Sequence, residues 1–229
     1  MEGKDVFSGK DVFSGKGIEI IRGSQDKRIT VSQEGLEIRH EGKPISFELS
    51  TTGFVYLIID CSSSMASGDK LNQAKNGAMN FTRDALNKGY LTGLIQFDSF
   101  AAHLCEPIKE ISILEKCIKN IRTGGSTNMA EAIQIANRKL QNKKGLLVMV
   151  IITDGVPDSQ VEALTEAEQA KKKGIEIITI GTDDADSNFL KKIASRANLG
   201  VKVTREQFKE GITSAAKMLP QLGSGKKRR

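Results

Sequence analysis

A six-residue apolar run, Phe54 to Ile59, stops abruptly at Asp60 and is followed by Ser62, Ser63 and Ser64. Few folds accommodate that pattern. The run has the length of one buried strand and is rich in β-branched and aromatic residues, so it predicts the central strand of a parallel sheet covered on both faces. In such sheets ligands sit beyond the carboxyl ends of the strands, which is where Asp60 falls. Asp60, Ser62 and Ser64 are spaced two apart, and in a roughly extended loop that spacing points their side chains the same way. Three oxygens then face one point.

A second apolar run, Leu146 to Thr153, ends the same way in Asp154-Gly155. Between the two carboxylates lies Thr123-Gly124-Gly125-Ser126-Thr127, a glycine-rich turn that opens a helix and brings a further hydroxyl to the same rim. Asp60, Ser62, Ser64, Thr127 and Asp154 are hard, small oxygen donors, which is the ligand chemistry of magnesium or manganese, with calcium ranking behind them.

The pattern resembles the metal-ion-dependent adhesion site of von Willebrand factor type A domains, whose signature is Asp-x-Ser-x-Ser, a distant Thr, and a distant Asp followed by Gly. Here it reads Asp60-Cys61-Ser62-Ser63-Ser64, Thr127 and Asp154-Gly155, and the resemblance runs from Thr52 to Leu219. Two departures are visible. Ser63 stands where the family often has Gly, and Ser126 offers a second hydroxyl beside Thr127, of which Thr127 is favoured as the ligand. The resemblance implies a doubly wound α/β fold with the Asp60 strand at its centre. It also implies a metal held by Ser62 and Ser64 directly, and by Asp60, Thr127 and Asp154 directly or through water. A coordination position left open would then take an Asp or Glu of a partner protein. Intracellular members of the family often act as adaptors beside ATPase, chelatase-like or kinase-like proteins, and that analogy sets the partner types expected here.

At 229 residues the chain is long enough for one ordinary domain plus an appendage, and a domain of that size buries about 70% of its unfolded surface. Cys61, Cys105 and Cys117 are odd in number and include no C-x-x-C pair, which argues for free thiols in a reducing compartment, the cytoplasm by default. No apolar run approaches the ~18 residues of a membrane span, and the N-terminus is polar rather than a signal peptide. The net charge of +6 invites a nucleic-acid reading, but the terminal Lys226, Lys227, Arg228 and Arg229 supply four of those charges and leave +2 on the rest. The basic patches lack aromatic interleaving and a recognised motif, which argues against nucleic acid as a partner. Lys171 to Lys173 end a predicted helix, where cations favour the dipole.

Four segments follow. Residues 1–16 form an arm in which Lys4-Asp5-Val6-Phe7-Ser8-Gly9 recurs as Lys10-Asp11-Val12-Phe13-Ser14-Gly15. Residues 17–51 carry short alternating runs, Ile29 and Val31, Leu36 and Ile38, then Ile45, Phe47 and Leu49, which predict a β-hairpin extension. Residues 52–220 are the α/β domain, and 221–229 a basic tail. Within the domain, Leu71, Ala74, Ala78, Phe81 and Ala85 recur at helical spacing up to Gly89. Leu91 to Phe97 and Ala101 to Leu104 predict a hairpin about Asp98-Ser99, hence one antiparallel edge strand. Ser112 with Glu115, Asn128 with Glu131 and Ser159 with Glu162 each predict a capped helix. Ile175 to Ile180 and Val201 to Val203 predict strands. Helices are expected around Phe189 to Ala194 and from Thr204 and Gln207 towards Pro220. Strands alternating with helices give a doubly wound, mostly parallel sheet with helices on both faces.

Two close carboxylates without a cation would raise each other's pKa and cost stability, which favours a metal site over a pair of helix caps. His40 and His103 are the only histidines, and neither has a partner at zinc-ligand spacing. Serine-hydrolase chemistry would need His103 beside Ser62 or Ser64. Gly124 to Thr127 lacks the lysine of a phosphate-binding loop. An Asp at a central strand end also suits a magnesium-dependent phosphatase or phosphotransferase of haloacid-dehalogenase-like type, with Asp60 as nucleophile. That chemistry wants a general acid two residues on, and Ser62 cannot protonate a leaving group. The expected protein is therefore a binding module and not an enzyme.

Overall fold

The computed structural model describes residues 29–32, 35–38 and 52–222. The repeat-containing arm, the run Ile45, Phe47 and Leu49, and the tail from Lys226 lie outside the described residues. Strands β1 (Ile29–Ser32) and β2 (Gly35–Ile38) pair antiparallel in a two-stranded sheet of their own, the hairpin that the alternation predicts.

The domain contains β3 (Gly53–Asp60), β4 (Tyr90–Phe97), β5 (Ala101–Ile108), β6 (Leu146–Thr153), β7 (Glu176–Gly181) and β8 (Gly200–Lys202). They form one sheet of order β5-β4-β3-β6-β7-β8, parallel throughout except for the β4–β5 hairpin at one edge. Helices are α1 (Lys70–Asn87), α2 (Ile111–Asn120), α3 (Met129–Leu140), α4 (Gln160–Lys172), α5 (Ser187–Ile193) and α6 (Phe208–Ala215).

The apolar run of β3 has no polar alternation because both its faces are covered. Val55, Leu57 and Ile59 pack into one core with Ala74, Ala78 and Phe81 of α1, Leu114 and Ile118 of α2, and Phe208 and Ile212 of α6. Tyr56 and Ile58 face the other way, onto α3, α4 and α5. The period of two thus sorts one strand's side chains between two cores. Every parallel strand then delivers its carboxyl end to one rim.

Asn128 and Ser159 accept the backbone N–H of Glu131 and Glu162 as the capping pattern predicts. Ser112 does not cap α2. The helix opens one residue before it, with Glu110 at the cap position, because the Glu110 carbonyl already accepts the N–H groups of Ile113 and Leu114. The last helix is also shorter than expected: a 3-10 turn at Arg205–Gln207 precedes α6, and a second at Ala216–Met218 ends the run short of Pro220. Gly89 and Gly174 adopt φ of 91° and 78° just beyond α1 and α4, a conformation that only glycine takes without cost. Among the described residues no helix is long and apolar enough to cross a membrane.

Candidate metal-binding site at the strand ends

Asp60 closes β3 and is fully buried. Its Oδ1 accepts the Ser62 backbone N–H at 2.8 Å, and its Oδ2 accepts the hydroxyl of Thr153, the last residue of β6, at 2.6 Å. Burial nevertheless outweighs these donors and, with a smaller push from the charge of Asp154, raises the carboxyl to about 6.

The chain beyond Asp60 is not the extended loop that the two-residue spacing suggests. Ser63–Asp69 winds into 3-10 turns broken at Ser67 and Gly68, and Met65 N–H closes onto the Ser62 carbonyl at 3.0 Å. Tight winding brings Ser62 and Ser64 together all the same, with their Oγ atoms 3.0 Å apart. Ser64 then donates to Asp154 Oδ1 at 2.7 Å. Cys61, between Asp60 and Ser62, faces the core, where burial pushes its thiol up to about 12, so it is packing and not a reactive group.

The loop before α3 closes over this turn. Gly124 N–H donates to the Cys61 carbonyl at 2.6 Å, and Ser63 N–H to the Gly125 carbonyl at 3.0 Å. A Cβ on Gly124 would lie 1.9 Å from Asp98 Oδ2, and one on Gly125 2.0 Å from Ser99 Oγ, which is why the loop is glycine-rich. Ser126 is engaged by Ser99 through its N–H and hydroxyl, at 3.0 and 3.3 Å. Thr127 is half-buried and held by its backbone, donating its N–H to Asp158 Oδ1 and accepting the Asp158 N–H, both at 3.0 Å. The structure therefore links Asp60, Ser62, Ser64 and Asp154 in one hydrogen-bonded chain. It leaves Thr127 outside that chain, on the adjoining loop, whose Gly124 and Gly125 meet the backbone of Cys61 and Ser63 while Thr127 itself bonds to Asp158.

Asp154 is buried, and Lys70 Nζ lies 2.5 Å from its Oδ2. The contact is a buried, charge-assisted pair. The same ammonium is 3.0 Å from Asp183 Oδ2, and Asp183 in turn receives Arg205 Nε and a terminal guanidinium nitrogen at 3.0 and 2.6 Å. Burial by itself would lower the Lys70 pKa, but the two carboxylates more than offset it and the net shift is upward. Arg205 first, and Lys70 after it, hold Asp183 below its ordinary range. Sequence reasoning missed Thr153, Lys70, Asp183 and Arg205. Asp183 carried the same signal as Asp60, a carboxylate just after an apolar strand, and Lys70 opens a helix where the dipole disfavours a cation.

The donor set suits a divalent cation. It is all oxygen, and a positive group already sits against Asp154 Oδ2. Among the described residues no three His, Cys, Asp or Glu converge as ligands, so the set rests on two carboxylates and the hydroxyls. His103 is not part of it. Its Nε2 lies 3.0 Å from Tyr56 Oη, four residues down β3 from Asp60, or about 13 Å at the rise of a strand. His40 lies outside the described residues.

The family described as von Willebrand factor type A domain matches residues 55–215. An uncharacterized protein of Methanocaldococcus jannaschii is 26% identical over 172 residues, covering 68% of this chain and 98% of its own length. The thrombospondin-related anonymous protein of Plasmodium falciparum is 25% identical over 143 residues, which are 56% of this chain but only 25% of that protein. Among solved structures, the vWF domain of the type V pili tip protein Mfa5 from Porphyromonas gingivalis superposes with a TM-score of 0.68 at 14% identity, covering 75% of this chain and 96% of its own. Proximal thread matrix protein 1 of the mussel byssus, with a zinc-occupied MIDAS motif, reaches 0.66 at 18% identity over 76% of this chain and 48% of its own.

Proposed function

The chain belongs to the von Willebrand factor type A domain family, and from that membership we propose a protein-interaction module whose Asp60, Ser62, Ser64, Thr127 and Asp154 hold a divalent cation that a partner's acidic side chain completes. The observation that carries this reading is the unbroken chain of oxygens from Ser62 through Ser64 to Asp154, 3.0 and 2.7 Å per step. Magnesium or manganese is the ion, and when bound it supplies a Lewis-acidic position that one more anionic oxygen completes. The residues do the rest. Thr153 and the Ser62 N–H orient Asp60, the 3-10 turn presents two hydroxyls together, and Thr127 on the glycine loop would supply the remaining one. A mussel relative by fold has a zinc-occupied site of this type, which supports divalent binding without naming the ion here.

No chemistry is assigned to the site. Ser62 stands where a phosphatase would need an acid, and no histidine reaches Ser62 or Ser64 among the described residues. The partner is a protein presenting Asp or Glu, of ATPase, chelatase-like or kinase-like type, and the module is an intracellular adaptor. Three unpaired thiols support that compartment. Metal that binds only the folded state adds about 2.7 kcal/mol at a hundredfold excess over its dissociation constant. Thermal melts with and without millimolar magnesium or manganese should therefore differ for the wild type and coincide for Asp60→Ala. Coincident wild-type melts would reject the reading.

A further inference from the structure

The best-placed cation at the strand ends is a side chain of the protein itself. Lys70 Nζ lies 2.5 Å from Asp154 Oδ2 and 3.0 Å from Asp183 Oδ2, and the residue is 5% exposed. Asp154 divides its two oxygens, Oδ1 to the hydroxyl of Ser64 and Oδ2 to the ammonium. Asp183 is already neutralised by Arg205, which grips both of its oxygens. The charge of Lys70 is therefore available to Asp154.

The backbone is bent to deliver this lysine. Gly68 and Asp69 adopt φ of 61° and 62° immediately before it, and Asp183 has φ of 47°. Left-handed backbone at two aspartates persists only where the surroundings hold it. Lys70 is also the first residue of α1, where the helix dipole opposes a positive charge. A cation kept in an electrostatically poor helix position, beside a carboxylate proposed as a metal ligand, acts on that carboxylate.

We propose that Lys70 is a built-in competitor of the divalent cation: it compensates Asp154 in the metal-free protein, and metal binds against its charge. This rests on the metal-site reading given above. It explains how two buried aspartates coexist when no metal is bound, and it makes Lys70 the residue that sets metal affinity. Asp183 and Arg205 are its anchor, the place where the ammonium remains when Asp154 turns to the metal.

The test is titration of magnesium, and separately manganese, by calorimetry into the wild type, Lys70→Met, Lys70→Gln, Lys70→Arg and the control Lys209→Met, with melting of each metal-free protein. Lys70→Met should bind metal about tenfold tighter or more, the scale of one unit charge a few ångströms from a divalent ion even at the dielectric of water. Its metal-free melting temperature should fall, so the two readouts move in opposite directions, whereas a purely structural lysine would lower both stability and affinity. Lys70→Gln keeps a donor for Asp154 without the charge. It should gain affinity too and covers the case in which Lys70→Met fails to fold without metal. Lys70→Arg and Lys209→Met should stay near wild type. Unchanged or weaker binding in both neutral variants, with wild-type binding intact and lost in Asp60→Ala, overturns the competitor role and leaves the metal site standing. No binding by the wild type overturns both.

Discussion

Ser64 donates its hydroxyl to Asp154 Oδ1 at 2.7 Å across 90 positions of sequence, joining the turn after β3 to the end of β6. Ser64→Ala removes that donor. A hydrogen bond to a charged acceptor contributes roughly 1.5–3 kcal/mol when buried, and the exposed side of Ser64 reduces it to about 1 kcal/mol here. Urea melts should register that loss, and the stabilisation by magnesium should shrink as well. A variant equal to wild type in both measurements would show that Ser64 does not belong to the site.

Asp60 makes the metal-free protein pH-sensitive. Its carboxyl rises from the ordinary 3.8 to about 6 in the folded state, so folding favours its protonated form. The resulting stability is present in full below about 4 and is lost as pH rises through about 6. At roughly 1.4 kcal/mol per pKa unit the loss is of order 3 kcal/mol. In EDTA, stability should fall between pH 4 and 7 in the wild type, and the fall should be much smaller in Asp60→Asn. That variant should also be more stable than wild type at neutral pH without metal, yet gain nothing from magnesium. The same pH slope in both proteins would rule out Asp60 as its source.

Much of this was legible in the sequence, for identifiable reasons. The run Phe54 to Ile59 is fully apolar because α1, α2 and α6 cover one face of β3 and α3, α4 and α5 the other, so a central strand could be read from composition. Asn128 and Ser159 announced their helices because capping is local chemistry. Ser112 misled because the same local pattern occurs one position inside a helix already closed by the Glu110 carbonyl. The two-residue spacing predicts an extended path from Asp60 to Ser64, but the serines meet through a 3-10 turn, which spacing alone does not encode. Lys70 was invisible because its contacts with Asp154 and Asp183 join residues distant in sequence. No local rule points to such a pair.

Thr153 fixes the other oxygen of Asp60, donating to Oδ2 at 2.6 Å from a fully buried position. Thr153→Val keeps the shape and deletes the donor, leaving a buried carboxylate with one directed contact fewer. The cost should be about 1.5–3 kcal/mol at neutral pH, the range for a hydrogen bond to a charged group. It should diminish at pH 5, where Asp60 is largely protonated and needs the donor less. A penalty of equal size at both pH values would mean that packing, and not the charge of Asp60, is what Thr153 serves.

Thr127 separates a metal-bridged partner complex from simple charge attraction. The protein carries a net +6, four of those charges on Lys226 to Arg229, so an acidic partner could be drawn by the tail alone. The two mechanisms respond differently to conditions. Exposed charges are screened over a Debye length of about 8 Å at physiological ionic strength, whereas a direct bond to a desolvated cation is screened far less. A partner captured from native lysate in magnesium should resist moderate salt and elute with EDTA. Thr127→Ala leaves the net charge untouched and removes one oxygen of the proposed ligand set, so it should weaken the magnesium-dependent fraction, while removal of Lys226 to Arg229 should do little. The opposite ordering, a complex indifferent to EDTA and to Thr127→Ala yet dissolved by salt or by loss of the tail, would place the interaction on the basic tail and away from the strand ends.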